Sequence, residues 1–129
     1  MQVRPDNEIV TVEITLAVTP TFVHDVFTTA CEGGIDYWAE FSEYRWKHDG
    51  EPDLWTFGAT IVEDGESEPV TIGRYVILAG IRKILTGDHG SLLRDNLVRA
   101  IQHDDAGEVD ADFADSIVQV GLFGEVRYG

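Results

Sequence analysis

Apolar positions along the chain recur with two different periods, and each change of period marks an element. Residues 9–18, IVTVEITLAV, are rich in Val, Ile and Thr and predict a strand. Thr19-Pro20 predicts a helix start, with threonine at the cap and proline at the first helical position. Phe22, Val23, Val26, Phe27, Ala30 and Cys31 then fall on one helical face. Gly33-Gly34 supplies a left-handed residue expected to end that helix.

From Tyr37 to Trp46 the period drops to two. Tyr37, Ala39 and Phe41 point one way and Trp38, Glu40 and Ser42 the other, which predicts a strand, with a short helix as the alternative. His48-Asp49-Gly50-Glu51-Pro52-Asp53 reads as a turn and Leu54 to Val62 as a further strand. Asp64-Gly65 is a hairpin signal, returned by Pro69 to Ile72. Three helices follow: Tyr75 to Leu85, a second capped by Ser91, and a third capped by Asp110 that runs from Ala111 to about Phe123. Strands first and helices later predict an α+β fold: a small antiparallel sheet with about four helices packed on one side. No repeat or low-complexity linker divides residues 1–129, so a single domain is expected.

Charge changes the picture more than composition does. Hydrophobic residues make up 43% and mean hydropathy is −0.09, as in a globular protein. The net charge is −15, and acidic excess repels phosphate backbones, so direct nucleic-acid binding is disfavoured. It leaves solubility, adaptation to salt, or imitation of a nucleic acid. The acid is uneven. Residues 1–73 hold fifteen acids and three bases, and residues 100–129 hold seven acids and Arg127. Between them Arg74, Arg82, Lys83, Arg94 and Arg99 face only Asp88 and Asp95. That basic island is suited to an anionic ligand, unless its members pair with acidic neighbours.

A lone cysteine, Cys31, excludes an internal disulfide, and no apolar run is long enough for a membrane span. The first ten residues lack the pattern of a signal peptide. The expected location is the cytoplasm.

No catalytic or metal motif is found. Cys31 sits on an apolar helix face, and His24, His48, His89 and His103 form neither HExxH nor zinc spacing. His48-Asp49, Asp88-His89 and His103-Asp104 read as solvated loops. The acidic runs 63–68 and 104–112 lack the EF-hand spacing. No phosphate-binding glycine loop of NTPase or dinucleotide type occurs. These readings predict no enzyme, no cofactor and no metal. The turn Gly87 to Gly90 leads into a helix start, where Arg94 joins Arg74, Arg82 and Lys83 as candidate phosphate partners.

Two signatures combine large rings with glycine: Glu32-Gly33-Gly34-Ile35-Asp36-Tyr37-Trp38 and Leu122-Phe123-Gly124-Glu125-Val126-Arg127-Tyr128-Gly129. With Asp112, Asp115, Ile117, Val118 and Gln119 between them, they resemble a family of small proteins from tailed phages, common among phages of actinobacteria. The likeness covers most of the chain from about residue 9, and this chain is more acidic than expected for the family. The resemblance implies a phage accessory protein expressed in a bacterial cytoplasm, of a kind often devoted to counter-defence.

Two functions follow as expectations. In the first, a homodimer or higher oligomer sequesters a small anionic, nucleotide-type ligand. Its site would be Glu32, Gly33, Gly34, Tyr37, Trp38, Phe123, Glu125 and Tyr128, with Arg74, Arg82 and Arg94 on the phosphate. In the second, the carboxylates imitate DNA and occupy a basic groove on a host nucleic-acid-binding protein. A purely architectural role for the rings is also open: Tyr37, Trp38, Phe123 and Tyr128 packed together, holding the 124–129 segment to the sheet.

Overall fold

The computed structural model describes residues 9–129. Residues 1–8, where most of the leader reading falls, lie outside the described residues.

Helix α1 (Pro20–Thr29) starts as expected: Thr19 Oγ1 accepts the Phe22 N–H at 3.1 Å, and Pro20 needs no partner there. It buries Phe22, Val23, Val26 and Phe27 and runs on into a wider π-helical turn, Ala30–Gly34. The expected left-handed stop at Gly33-Gly34 does not occur, since neither residue has a positive φ. Gly34 has a different reason to be glycine. A Cβ there would lie 2.9 Å from the carbonyl oxygen of Ala111, so its absence lets this turn press against a later helix.

Strands β1 (Ala39–Lys47), β2 (Thr56–Glu63) and β3 (Pro69–Gly73) form an antiparallel sheet in the order β1-β2-β3. The Asp64-Gly65 hairpin forms, with Gly65 at φ +84. Phe41, Tyr44 and Trp46 pair with Ile61, Ala59 and Phe57, and this row faces the core. Glu43, Arg45 and Lys47 pair with Thr60, Gly58 and Thr56 on the outer face. The strict alternation expected across 37–46 fails twice. Trp38 and Ala39 are both buried, and the register shifts between Phe41 and Glu43, a one-residue bulge that resets the faces.

Helix α2 (Arg74–Thr86) leaves β3 with no intervening loop, and α3 (Ser91–Gln102) follows. Ser91 is the first helical residue of α3, and Gly90 holds the cap position. Helix α4 (Ala111–Phe123) is capped by Asp110, whose carboxylate accepts the Phe113 N–H at 2.8 Å. It ends at Gly124 with φ 78, the left-handed stop absent after α1. The α+β expectation therefore holds: the described residues form a three-stranded antiparallel sheet and four α-helices. No described helix is long and apolar enough to cross a membrane.

The strand expected over 9–18 is absent, because the segment joins no ladder. Only Leu16 and Val18 pack on the core.

Helices α2 and α4 cross at two glycines. A Cβ on Gly80 would lie 2.1 Å from the Ile117 carbonyl oxygen, and one on Gly121 would lie 2.2 Å from that of Val76. Alanine would gain about 1 kcal/mol of helix propensity at either site. The clash with backbone outweighs this, because overpacking costs about 1–3 kcal/mol and here neither partner is a side chain that can turn aside. Gly80→Ala and Gly121→Ala are each expected to lower the urea midpoint, while Gly33→Ala, which meets nothing within 4 Å, leaves it in place.

Candidate functional site

The two ring-and-glycine signatures meet. Trp38 is 1% exposed and stacks on Tyr128, with centroids 5.4 Å apart and planes 4° from parallel. Phe123 meets Trp38 edge-on at 5.5 Å. Two residues of α4 lie beneath these rings, Asp115 and Gln119, one helical turn apart and both buried. Asp115 accepts three hydrogen bonds: from Trp38 Nε1 at 2.8 Å, Tyr37 Oη at 2.6 Å and Gln119 Nε2 at 2.8 Å. Gln119 Oε1 accepts the backbone N–H groups of Arg127 at 2.7 Å and Tyr128 at 2.9 Å. Its Nε2 also donates to the Tyr128 carbonyl at 3.2 Å. Tyr128 Oη donates to Glu63, which Arg127 approaches at 3.4 Å. The rings are therefore a clasp that holds 124–129 to α4 and to the end of β2.

The clasp leaves a poor opening for an anion. A cavity of about 340 Å³ does border Trp38 and Phe123. Its polar lining is Glu63, Glu66 and Glu68 against Arg127 alone, and Arg127 already lies over the Phe123 ring at 4.1 Å and beside Glu63. Like charge repels a phosphate there. Of the expected ligand residues, Gly34, Tyr37, Trp38, Phe123 and Tyr128 gather around α4 in structural roles. Glu32, Gly33 and Glu125 are exposed.

The basic residues do not form one island. Arg94 lies beside Asp95 at 3.8 Å, Arg99 bonds Asn96, and Arg82 is exposed on the far half of α2. Arg74 is the exception. Its guanidinium donates to the carbonyls of Trp55 at 2.8 Å and Asp53 at 3.3 Å and lies 5.6 Å from the Phe57 ring centroid. It is thereby fixed at the start of α2, on the wall of a second cleft.

That cleft, of about 420 Å³, is floored by Gly58, Thr71, Ile72 and Gly73 and walled by Arg45, Trp55, Arg74 and Tyr75. The pairing of Arg45 with Gly58 explains the floor: with no side chain on β2, the Arg45 guanidinium lies across the strand, donating to Thr60 Oγ1 at 3.2 Å. Helix α2 opens into the cleft with Gly73 at its cap, no side-chain cap and no acid in its first turn. Its first N–H groups and the positive end of its dipole are left without a protein counter-charge. Tyr75 is 85% exposed, a flat ring without a packing duty.

The chain matches no family model, no curated protein and no solved structure. The likeness to tailed-phage proteins rests on its motif residues.

Sequence reasoning missed Arg45, Trp55 and Tyr75, which lie on β1, in the loop before β2 and on α2 and share no motif. His48 is exposed in the loop after β1, as expected, and there its Nε2 sits 2.8 Å from His24 Nε2 and its ring stacks on Trp55 at 4.6 Å. Among the described residues no group of three or more His, Cys, Asp or Glu could hold a metal ion. Burial, then the charge of Glu32, pushes the Cys31 thiol up to about 12, so it stays protonated and unreactive at neutral pH.

Two predictions follow from the clasp. Trp38→Ala removes a buried ring and a donor to Asp115, so it should cost about 3–5 kcal/mol in chemical denaturation. Trp38→Phe keeps the ring, and the lost bond to a charged acceptor should cost about 1.5–3 kcal/mol. The second prediction concerns base. Desolvation, the hydrogen bond to Asp115 and that carboxylate's charge push the Tyr37 phenol up to about 12 from 10. A pKa raised on folding gives stability that is complete below pH 10 and lost as pH rises through about 12. Tyr37→Phe should flatten the fall in denaturant midpoint across that window.

Proposed function

We propose that this protein is a non-enzymatic phage accessory protein that captures a small anionic, nucleotide-type ligand, in the Arg45–Arg74 cleft and not between the clasp rings. One observation carries the reading. In a chain with 24 acids and 9 bases, the cleft is lined by two arginines and no carboxylate. Chance placement on so acidic a surface would put acids there first.

The chemistry agrees. A guanidinium has five N–H donors, and Arg74 gives one from each of its two terminal nitrogens to carbonyls, which leaves about three free in a fixed orientation. Arg45 pairs with Glu43 at 3.0 Å, but both side chains are about half exposed. Such a pair is worth about 0–1 kcal/mol, so a phosphate making a two-pronged contact displaces it. The free N–H groups of α2 add donors of the same sign. Tyr75 offers a face on which a base could stack, worth about 1–3 kcal/mol. The cleft volume falls within the usual ~300–1,000 Å³ of ligand sites. The phage context and a counter-defence role come from the motif resemblance.

Calorimetric titration with linear and cyclic nucleotides tests this. The expected result is saturable heat with at least one of them, weakened about 10- to 100-fold in Arg45→Ala. Arg45 is exposed and its removal should leave the melting temperature unchanged. Absence of heat across the panel, with tight capture of a basic host protein, would favour the DNA-mimic reading instead.

A further inference from the structure

The segment 9–18 is written as a strand and has no strand to join. Its even positions, Val10, Val12, Ile14, Leu16 and Val18, are all apolar, and its odd positions include Thr11, Glu13 and Thr15. Such alternation is the mark of a strand with one buried face. Yet Val10, Val12 and Ile14 are 70%, 74% and 70% exposed. The root of the segment is anchored: Leu16 and Val18 pack on the core, and Thr19 Oγ1 donates to Asp104 at 2.8 Å. Residues 9–14 stand away from that anchor.

The sheet carries the complementary defect. Among the described residues β1 pairs with β2 alone, so its other edge presents the backbone of a nine-residue strand with no neighbour. On the core-facing side of that edge, Tyr44 is 45% and Trp46 61% exposed, because no strand lies beyond them. The opposite edge is a poorer acceptor: β3 has five residues, and Pro69 lacks an N–H.

We propose that the arm 9–14 of one copy adds as a fourth strand to the β1 edge of a second copy, giving a dimer by arm exchange. The lengths match: the six free residues 9–14 face the five residues Glu43 to Lys47 beyond the bulge, about 17 Å of ladder. The faces match as well. The apolar row of the arm continues the row of Tyr44 and Trp46 over the core, while Glu13 comes to the outer face that carries Arg45 and Lys47. The bulge at Ser42 limits regular pairing to the stretch Glu43 to Lys47, where both aromatics and both bases lie. A shift of one residue would turn the apolar row to solvent, so only registers that keep the even positions of the arm on the side of Tyr44 and Trp46 are allowed. The arm and the sheet edge carry this dimer whatever ligand class the cleft takes, although the two share Arg45.

Sedimentation equilibrium on the full chain tests the proposal. The expected mass is twice 14.3 kDa, falling to 14.3 kDa in Val12→Lys/Ile14→Lys with an unchanged circular dichroism melt. A second measurement fixes the partner strand. In a Cys31→Ser background, chains carrying Val12→Cys are mixed with chains carrying Tyr44→Cys, and a disulfide between the two chains is expected. A wild-type mass of 14.3 kDa overturns the proposal, as does a dimer that survives the double lysine variant. A dimer that gives no crosslink between the chains also overturns it.

Discussion

The fold depends on one buried polar pair, Asp115 and Gln119, set a turn apart on α4. Unpaired, these two side chains would cost several kcal/mol in an apolar core. Besides the bond between them, their partners come from elsewhere in the chain: Tyr37 and Trp38 from the turn before the sheet, Arg127 and Tyr128 from beyond the helix. No buried side-chain polar atom among the described residues is left without a partner. A network of that kind specifies geometry more sharply than apolar contact, because each bond is lost if a ring or strand slips. The clasp thus sets the position of β1 relative to α4. The glycine crossing of α2 and α4 sets the second spacing, and between them these contacts fix where α2 begins.

That start of α2 is where the cleft forms, so the clasp supports the cleft without lining it. Arg74 is held by the carbonyls of Trp55 and Asp53, and Arg45 lies over a strand position that is glycine. The arrangement separates two duties that the sequence seemed to combine. Rings near glycines do the packing, and the exposed Tyr75 and the two arginines stay available to solvent.

Much of the fold was legible. Helices α1, α2 and α4 announce themselves by apolar spacing and by the Thr19 and Asp110 caps, and the hairpin by Asp64-Gly65. What was not legible has a common cause: it is decided by contacts distant in sequence. Gly34, Gly80 and Gly121 look like turn or weak helix residues until the backbone they touch is known. Trp38 and Tyr128 read equally as a pocket or a clasp, because the carboxylate and amide that decide the matter are 77 and 9 residues away. The cleft was missed for the same reason, since Arg45 and Arg74 meet only through strand pairing. The strand expected over 9–18 was wrong for this structure, because propensity cannot supply a neighbour to pair with.

The cleft and the open sheet edge share one residue, which ties the two proposals together physically. Arg45 lies on β1, so a strand added beside β1 would bring Glu13 to the same outer face. A carboxylate next to Arg45 competes with an anion for the same guanidinium. By linkage, whatever the dimer takes from anion affinity the anion takes from dimer affinity, and by the same factor. Arg74 and the α2 N-terminus lie off the β1 edge and are not shared. Competition between arm and ligand would therefore weaken capture without abolishing it, and added phosphate would shift the assembly towards single copies.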